Sequence, residues 1–361
     1  MRDDALAAIE CKMPDKIPQK ERLNNEALFV FYGGVDPYQN LESAYVKTLL
    51  ACGIDMVSGI PHNSEAVRDI DTERLLRKGD TIYSMAPLGV MPTYQVRDYG
   101  FTSIEDVLAY DPDTVEYHGL WLLSNSNNQE ILCDRYMQTH KRNALLADDG
   151  FLTYPYFYTT LFMWCMETFG MEMFMIAAME EEDAFDGIIE KFANRSKKHI
   201  QAMLETDAPV IVLHDDLAFS NGPAMSPEWF RRHIFPRYKE LLAPIKQHGK
   251  KVLLTIDGRI DELIDDLADC GFDGFEIECP ATDLSLALRR VGKEKSIIGG
   301  IDNRIMAFGT PGDVERHTEE ILSLGRNYPG FILSNTGGFH GNIPLENSIV
   351  YFETAKVYGK R

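Results

Sequence analysis

From residue 210 onward the chain alternates short apolar runs with longer amphipathic stretches. Five runs stand out: VIVLHDD (210–216), KVLLTIDG (251–258), GFEIEC (274–279), SIIGGID (296–302) and FILSNTGGFHG (331–341). Each is rich in Val, Ile, Leu or Phe, as expected of a parallel strand covered on both faces. Each closes with Asp, Glu, His, Cys or Gly. The stretches between them carry helix signals. Phe185, Ile188, Ile189 and Phe192 fall at i, i+3, i+4 and i+7 and predict a helix to about residue 205. Ser226-Pro227 pairs a capping serine with a first-turn proline. Ile260, Leu263, Ile264 and Leu267 repeat the amphipathic spacing, with Gly271 as the stop. Thr310-Pro311 opens another helix, and a last one is expected from about Leu345 to Tyr358. Strand, loop and helix thus recur five times, with polar groups at the strand ends. That order predicts a (β/α)8 (TIM) barrel whose chemistry lies at the carboxyl ends of its strands.

The first half is less regular. ALFVFYGG (27–34) predicts a first barrel strand ending in two glycines, and LESAYVKTLLACG (41–53) its helix, stopped by Gly53. Residues 80–100 combine strand character with a central Pro-Leu-Gly turn and predict an inserted β-hairpin. Residues 101–150 read as helix and loop. The stretch FLTYPYFYTTLFMWCMETFG (151–170) has two readings: an aromatic wall over the barrel mouth, or a buried loop and helix start. The expectation is one barrel domain over 1–361, with an inserted hairpin and amino-terminal helical additions.

Composition narrows the function. A formal net charge of −20 opposes nucleic-acid binding, which rests on neutralising phosphates. No apolar run reaches the roughly 18 residues of a membrane span. The polar, acidic start lacks the apolar core of a secretory signal, so a cytoplasmic location is expected. The six cysteines form no CxxC pair, and only Cys279, beside Pro280, sits at a strand end.

Because side chains alternate along a strand, Thr255 and Asp257 share one face, and Glu276 and Glu278 share another. Asp257 and Glu278, on consecutive strands, can converge at the mouth with His340 from the last strand-loop. Two carboxylates and an imidazole suit a divalent metal such as Zn2+, with a position left for substrate. The same residues also suit acid–base work or substrate binding, and Asp257-Gly258 is also a turn signal. His214, Asp215 and Asp216 form a second cluster one strand earlier, and Asp302 follows Gly299-Gly300.

Four segments in order, HDDLAFSNGPAMSPEWFRRHIFPRYKEL, GKKVLLTIDGRIDELIDDLADCGFDGFEIE, GGIDNRIMAFGTPGDVERHTEEIL and HGNIPLENSIVYFETAKVYG, resemble the uroporphyrinogen decarboxylase superfamily. The opening ALAAIECKMPDKIP is similar to that family's usual start. The resemblance implies a (β/α)8 barrel and two candidate activities. True uroporphyrinogen decarboxylases hold an acidic tetrapyrrole with an Arg-Gln-x-Gly-Arg segment near the amino terminus. LFVFYGGVDPYQN has no arginine, which argues against that substrate. The other branch comprises corrinoid-dependent methyltransferases. Those acting on coenzyme M use a His-x-Cys motif and a late cysteine, where this chain has Thr255-Ile256-Asp257 and Gly337-Gly338. Oxygen and nitrogen ligation by Asp257, Glu278 and His340 would instead suit a Lewis acid acting on an ether or hydroxyl oxygen.

The resemblance therefore implies transfer of a methyl group from a small methylated substrate, such as a methoxylated aromatic, to a corrinoid carried by a partner protein. In that reading His214, Asp216, Glu276 and Asp302 position substrate, and Tyr154 and Tyr156 line the pocket. A homodimer is compatible with it. Two alternatives stand beside it: a decarboxylase acting on a smaller acid held by Arg259 and Arg304, and a non-catalytic binding protein whose metal site has decayed.

Overall fold

Ten short strands carry the architecture of the computed structural model: β1 (Leu23–Asn24), β2 (Met56–Val57), β3 (Leu152–Thr153), β4 (Tyr156–Phe157), β5 (Val210–His214), β6 (Lys251–Ile256), β7 (Gly274–Ile277), β8 (Ser296–Gly300), β9 (Phe331–Ser334) and β10 (Phe339–His340). The structure describes residues 1–63, 99–114 and 128–361, together with the strand pair Leu76–Lys78 and Thr81–Tyr83.

A parallel sheet runs in the order β9-β8-β7-β6-β5-β4. β3 and β4 are two parts of one bent course; Pro155 lies between them and offers its carbonyl to Val212 N–H at 3.0 Å. β3 pairs in parallel with β2. Lys20 then bridges to Met56 in β2, and Gln19 bridges to Leu333 in β9. Residues 19–24 are thus the first of eight courses, and the pairing returns to its start. This is the expected (β/α)8 barrel.

Strict alternation divides the two cores. Val210, Val212, Leu253, Ile298 and Ile332 point inward and pack with Met56, Leu152 and Tyr154. The helix Arg2–Ile9 adds Ala5, Ala8 and Ile9 to this cluster and closes the amino-terminal end of the barrel. Ile211, Leu213, Val252, Leu254, Phe275 and Ile297 point outward into the larger core shared with the surrounding helices. Each such fully buried side chain contributes roughly 1.5–3 kcal/mol relative to exposure. One turn above the inner apolar layer the inward positions become polar: Tyr156, His214, Thr255 and Glu276. The fold places these at the mouth.

The helices follow their sequence signals closely. Glu182–Leu204, Pro311–Gly325 and Leu345–Tyr358 lie where periodicity puts them. Ser226 caps its helix by accepting from Trp229 N–H, and Gly53 ends Leu41–Cys52 at φ 77°. The helix expected from Ile260 begins only at Ile264; before it Leu263 N–H closes a tight turn onto the Ile260 carbonyl at 2.8 Å, and the Ile260 N–H donates to Thr282 Oγ1 at 3.0 Å.

One element differs in kind. Residues 27–34, expected as the first strand, lie in a helix, Glu26–Gly33. Asn25 caps it by accepting from Leu28 N–H, and Gly34 closes it in the left-handed region at φ 63°. The run is apolar throughout, so its composition carried no period, and Val30 and Phe31 remain exposed. The true first course, QKERLN, reads as polar because both its faces are. Glu21 is fully buried behind the barrel wall, where it accepts from the Tyr351 hydroxyl and from Asn335 N–H.

The aromatic stretch divides between its two readings. Phe151, Tyr154, Phe157, Phe162 and Trp164 are core residues. Tyr156 and Tyr158 instead turn their rings to His214. Most of the hairpin expected over 80–100, including its Pro87-Leu88-Gly89 turn, lies outside the described residues. Thr81–Tyr83 pairs antiparallel with Leu76–Lys78.

Candidate active site

The mouth is built around the ends of β5 and β6. His214, the last residue of β5, points inward. Its Nδ1 is hydrogen-bonded to the Tyr156 hydroxyl, and its Nε2 lies 2.9 Å from Asp216 Oδ1. The same Asp216 oxygen accepts Asp257 N–H at 2.8 Å, joining the end of β5 to the end of β6. One ligand-type atom each from His214, Asp216 and Asp257 lies within 4.8 Å of the others. Asp215, between them in sequence, faces the opposite way. Its buried carboxylate accepts from Leu161, Phe162 and Met163 N–H and from the Tyr238 hydroxyl, fixing the start of the helix Phe162–Phe169.

The electrostatics follow from this crowding. Desolvation pulls the His214 pKa down, but the Asp216 hydrogen bond and charge outweigh it and hold it above 6.5. Asp216 is desolvated too, yet His214 keeps it below 3.8. Asp257 lacks such a hydrogen bond to His214. Desolvation, then the Asp216 charge, push its carboxyl up; the His214 charge opposes them only in part, and Glu278 and Glu276 add smaller contributions. One imidazole and a set of carboxylates thus share a small space, with Asp257 the carboxyl most ready to hold a proton or a cation.

Glu276 stands one layer deeper. Its carboxylate meets the Lys20 ammonium from the first course and accepts from Thr255 Oγ1 at 2.8 Å. Burial raises its pKa, but Lys20 and Thr255 together bring it below the usual value. Among the described residues Lys20 bonds to no other carboxylate, so its charge is committed to the barrel floor.

The other expected site residues separate into groups. Glu278 lies beyond β7 and accepts Gly258 N–H at 2.8 Å; the ligand-type cluster above does not include it. His340, in β10, comes instead from the side of the first and last courses, with its ring Nε2 3.4 Å from Asn303 Nδ2 and its carbonyl accepting from Asn25. The geometry therefore gathers Asp257 with His214 and Asp216, and not with Glu278 and His340. Asp302 caps the helix Asn303–Phe308 and ion-pairs with Arg304 at 2.7 Å. Tyr154 is buried in the inner core below the mouth. Arg259 is paired with Asp261 at 2.9 Å. Both candidate cations for an acid substrate are thus already held by aspartates. Arg22 lies on the first course, which no apolar run marks in the sequence. Its positive charge acts on Tyr156 and His340, and its guanidinium has no hydrogen-bonding or ionic partner among the described residues.

The donor set is compatible with the metal the sequence suggests. One imidazole nitrogen and two carboxylates are borderline-to-hard donors, and the Tyr156 hydroxyl on Nδ1 aims Nε2 at the two carboxylates. Metal-binding histidines are commonly oriented in this way through their second nitrogen.

Residues 150–358 match the model of the uroporphyrinogen decarboxylase (URO-D) family, and the chain belongs to that family. It is 25% identical over 179 residues to the methylcobamide:CoM methyltransferase MtaA of Methanosarcina barkeri, covering 49% of this chain and 50% of that protein. It is 21% identical over 184 residues to the uroporphyrinogen decarboxylase of Pseudoalteromonas atlantica, covering 50% of each. The chain therefore spans about half the length of the curated relatives it matches. Its fold superposes with a TM-score of 0.66 on a methyltransferase from Methanosarcina mazei, at 16% identity and over 99% of this chain and 98% of that one. Among the described residues no helix is long and apolar enough to cross a membrane.

Proposed function

We propose that this protein transfers a methyl group from a small O-methylated substrate, of the methoxylated-aromatic class, to the cobalt of a corrinoid carried by a separate protein. The observation that carries the reading is the convergence of His214, Asp216 and Asp257 at the barrel mouth. Similarity to a methylcobamide methyltransferase supports the branch.

Nucleophilic attack on an ether methyl group breaks the methyl–oxygen bond and leaves an oxyanion. The barrier falls when that oxygen is neutralised as the bond breaks. His214, Asp216 and Asp257 would hold a divalent cation such as Zn2+, which when bound supplies Lewis-acid polarisation of the leaving oxygen. Without a cation, Asp257 is instead the residue best set to hand a proton to that oxygen, since burial and the Asp216 charge push its carboxyl up. Tyr156 holds the His214 ring, and Tyr158 packs against the ring at 4.6 Å between centroids, so the imidazole cannot rotate away from the carboxylates. Lys20, committed to Glu276, keeps the floor neutral beneath the acidic rim.

The test is conversion of cob(I)alamin to methylcobalamin with a panel of methoxylated aromatics as donors. The reading requires transfer that depends on Asp257 and falls at least a hundredfold in Asp257→Ala. Decarboxylation of an aromatic acid without any corrinoid would replace it with the decarboxylase reading. That second reading has one observation of its own: the Arg22 guanidinium, which has no hydrogen-bonding or ionic partner among the described residues, acts on Tyr156 and His340.

A further inference from the structure

The reactive position of Asp257 depends on a turn that cannot hold itself. Gly258 follows it at φ 83°, a conformation that side-chain-bearing residues rarely adopt. A Cβ there would also overlap the Ala218 carbonyl, because the hairpin Ala218–Pro223 lies directly over the turn; Arg259 N–H donates to the Phe219 carbonyl at 2.8 Å. Four further backbone groups of the turn are held by side chains from elsewhere. Asp257 N–H goes to Asp216 Oδ1, and Gly258 N–H to Glu278 Oε2, both at 2.8 Å. The Gly258 carbonyl accepts from Thr282 Oγ1 at 2.8 Å, and that same oxygen accepts Ile260 N–H. Thr282 is in turn tied back to Glu278, donating its N–H to the Glu278 carbonyl at 2.9 Å.

We infer that Glu278 is a positioning residue. Its carboxylate acts through the Gly258 N–H to fix the direction in which Asp257 projects, with Thr282 as the second half of the grip. A carboxylate accepting a backbone N–H forms one of the stronger hydrogen bonds a turn can make. Glu278 lies outside the group formed by His214, Asp216 and Asp257, so the role assigned to it is orientation. The inference deepens the proposed metal-assisted reading, but its first readout does not depend on it.

The test compares Glu278→Gln with Glu278→Leu in the full-length protein, with Thr282→Val as an independent lesion of the same grip. Glutamine keeps a carbonyl oxygen to accept Gly258 N–H; leucine does not. Amide exchange over residues 257–260, followed by mass spectrometry, reads the turn without any metal. Affinity for Zn2+ alone, by competition with a chromogenic chelator, reads the consequence for Asp257. Glu278→Leu and Thr282→Val should each speed exchange at least tenfold and weaken Zn2+ binding at least tenfold. Glu278→Gln should stay within about threefold of the parent in both. Equal loss of Zn2+ binding in the Gln and Leu variants, with exchange protection intact, would make Glu278 a direct ligand and overturn the inference. Unchanged exchange in Glu278→Leu would overturn it as well. Were the parent protein to bind no Zn2+, the metal-assisted reading would fall while the exchange comparison still decided the role of Glu278.

Discussion

Lys20→Met isolates the charge balance of the barrel floor. Lys20 and Glu276 are only 13% and 5% exposed, and the Thr255 hydroxyl at 2.8 Å is the other hydrogen-bond partner of the carboxylate. Removing the ammonium leaves a buried carboxylate without its hydrogen-bonded counter-charge, a lesion that costs about 3–5 kcal/mol. Unfolding entropy of about 2.1 cal/mol/K per residue amounts to ~0.76 kcal/mol/K over 361 residues. A loss of ~4 kcal/mol therefore lowers Tm by about 5 °C. The pH dependence fixes the cause. The Glu276 pKa is depressed in the folded protein, so its contribution is present above the unfolded value of 4.5 and is lost as pH falls through the folded one. The difference between parent and variant should be full at pH 7 and close in acid. Replacing both partners, Lys20→Met with Glu276→Leu, should recover most of the lost stability, because no buried charge then remains. Calorimetry at pH 7 and in steps into acid measures all three proteins. A single variant melting within 1 °C of the parent at pH 7, or a double variant no more stable than the single, would refute the reasoning.

Three further outcomes are expected. Asp215→Ala strips the acceptor from three backbone N–H groups and the Tyr238 hydroxyl; it should cost about 3 kcal/mol by denaturant titration, and loss of less than 1 kcal/mol would deny Asp215 its anchoring role. The His214–Asp216 pair stabilises the metal-free protein only while both are charged: the His214 contribution is complete below 6.5 and lost as pH rises through its raised folded pKa, and the Asp216 contribution is lost as pH falls through a folded pKa below 3.8. His214→Asn should therefore flatten the stability profile between these limits, and an unchanged profile would show that the pair carries no coupling. Tyr156→Phe removes the hydroxyl from His214 Nδ1 and should weaken Zn2+ binding about tenfold, with parent-like affinity showing that the ring is held by packing alone.

The carboxyl-terminal half of the barrel was legible because its strands are buried on both faces and its helices carry clear caps. Thr310 with Pro311, and Ser226 with Pro227, mark helix starts that the structure reproduces. The amino-terminal half was not, and the reason is physical. The first course runs through Lys20, Glu21 and Arg22, each bearing a charge that the fold either pairs, buries or uses, so no apolar run announces it. The nearest apolar run, 27–34, is a helix whose capping residue, Asn25, also anchors it to the His340 and Ile343 carbonyls. At the site, alternation set Thr255 on the face of Asp257 and Glu276 on the face of Glu278, whereas the pairing of Thr255 with Glu276 depends on the register of β6 and β7. Sequence spacing did not reveal that Asp257 turns toward β5 and meets His214 and Asp216, because that depends on the turn at Gly258 and on which neighbour binds its N–H. Nor did it reveal that Arg304 and Arg259 are spent on adjacent aspartates.

The most direct measurement is methyl transfer itself: cob(I)alamin, Zn2+-reconstituted protein and a panel of methoxylated aromatics, followed by the spectrum of the corrinoid. The account predicts methylcobalamin together with the free phenol in equal amounts, at a rate lost in Asp257→Ala and retained in Glu278→Gln. Failure of every donor with a protein that retains its Zn2+, alongside corrinoid-independent release of carbon dioxide from an aromatic acid, would contradict it.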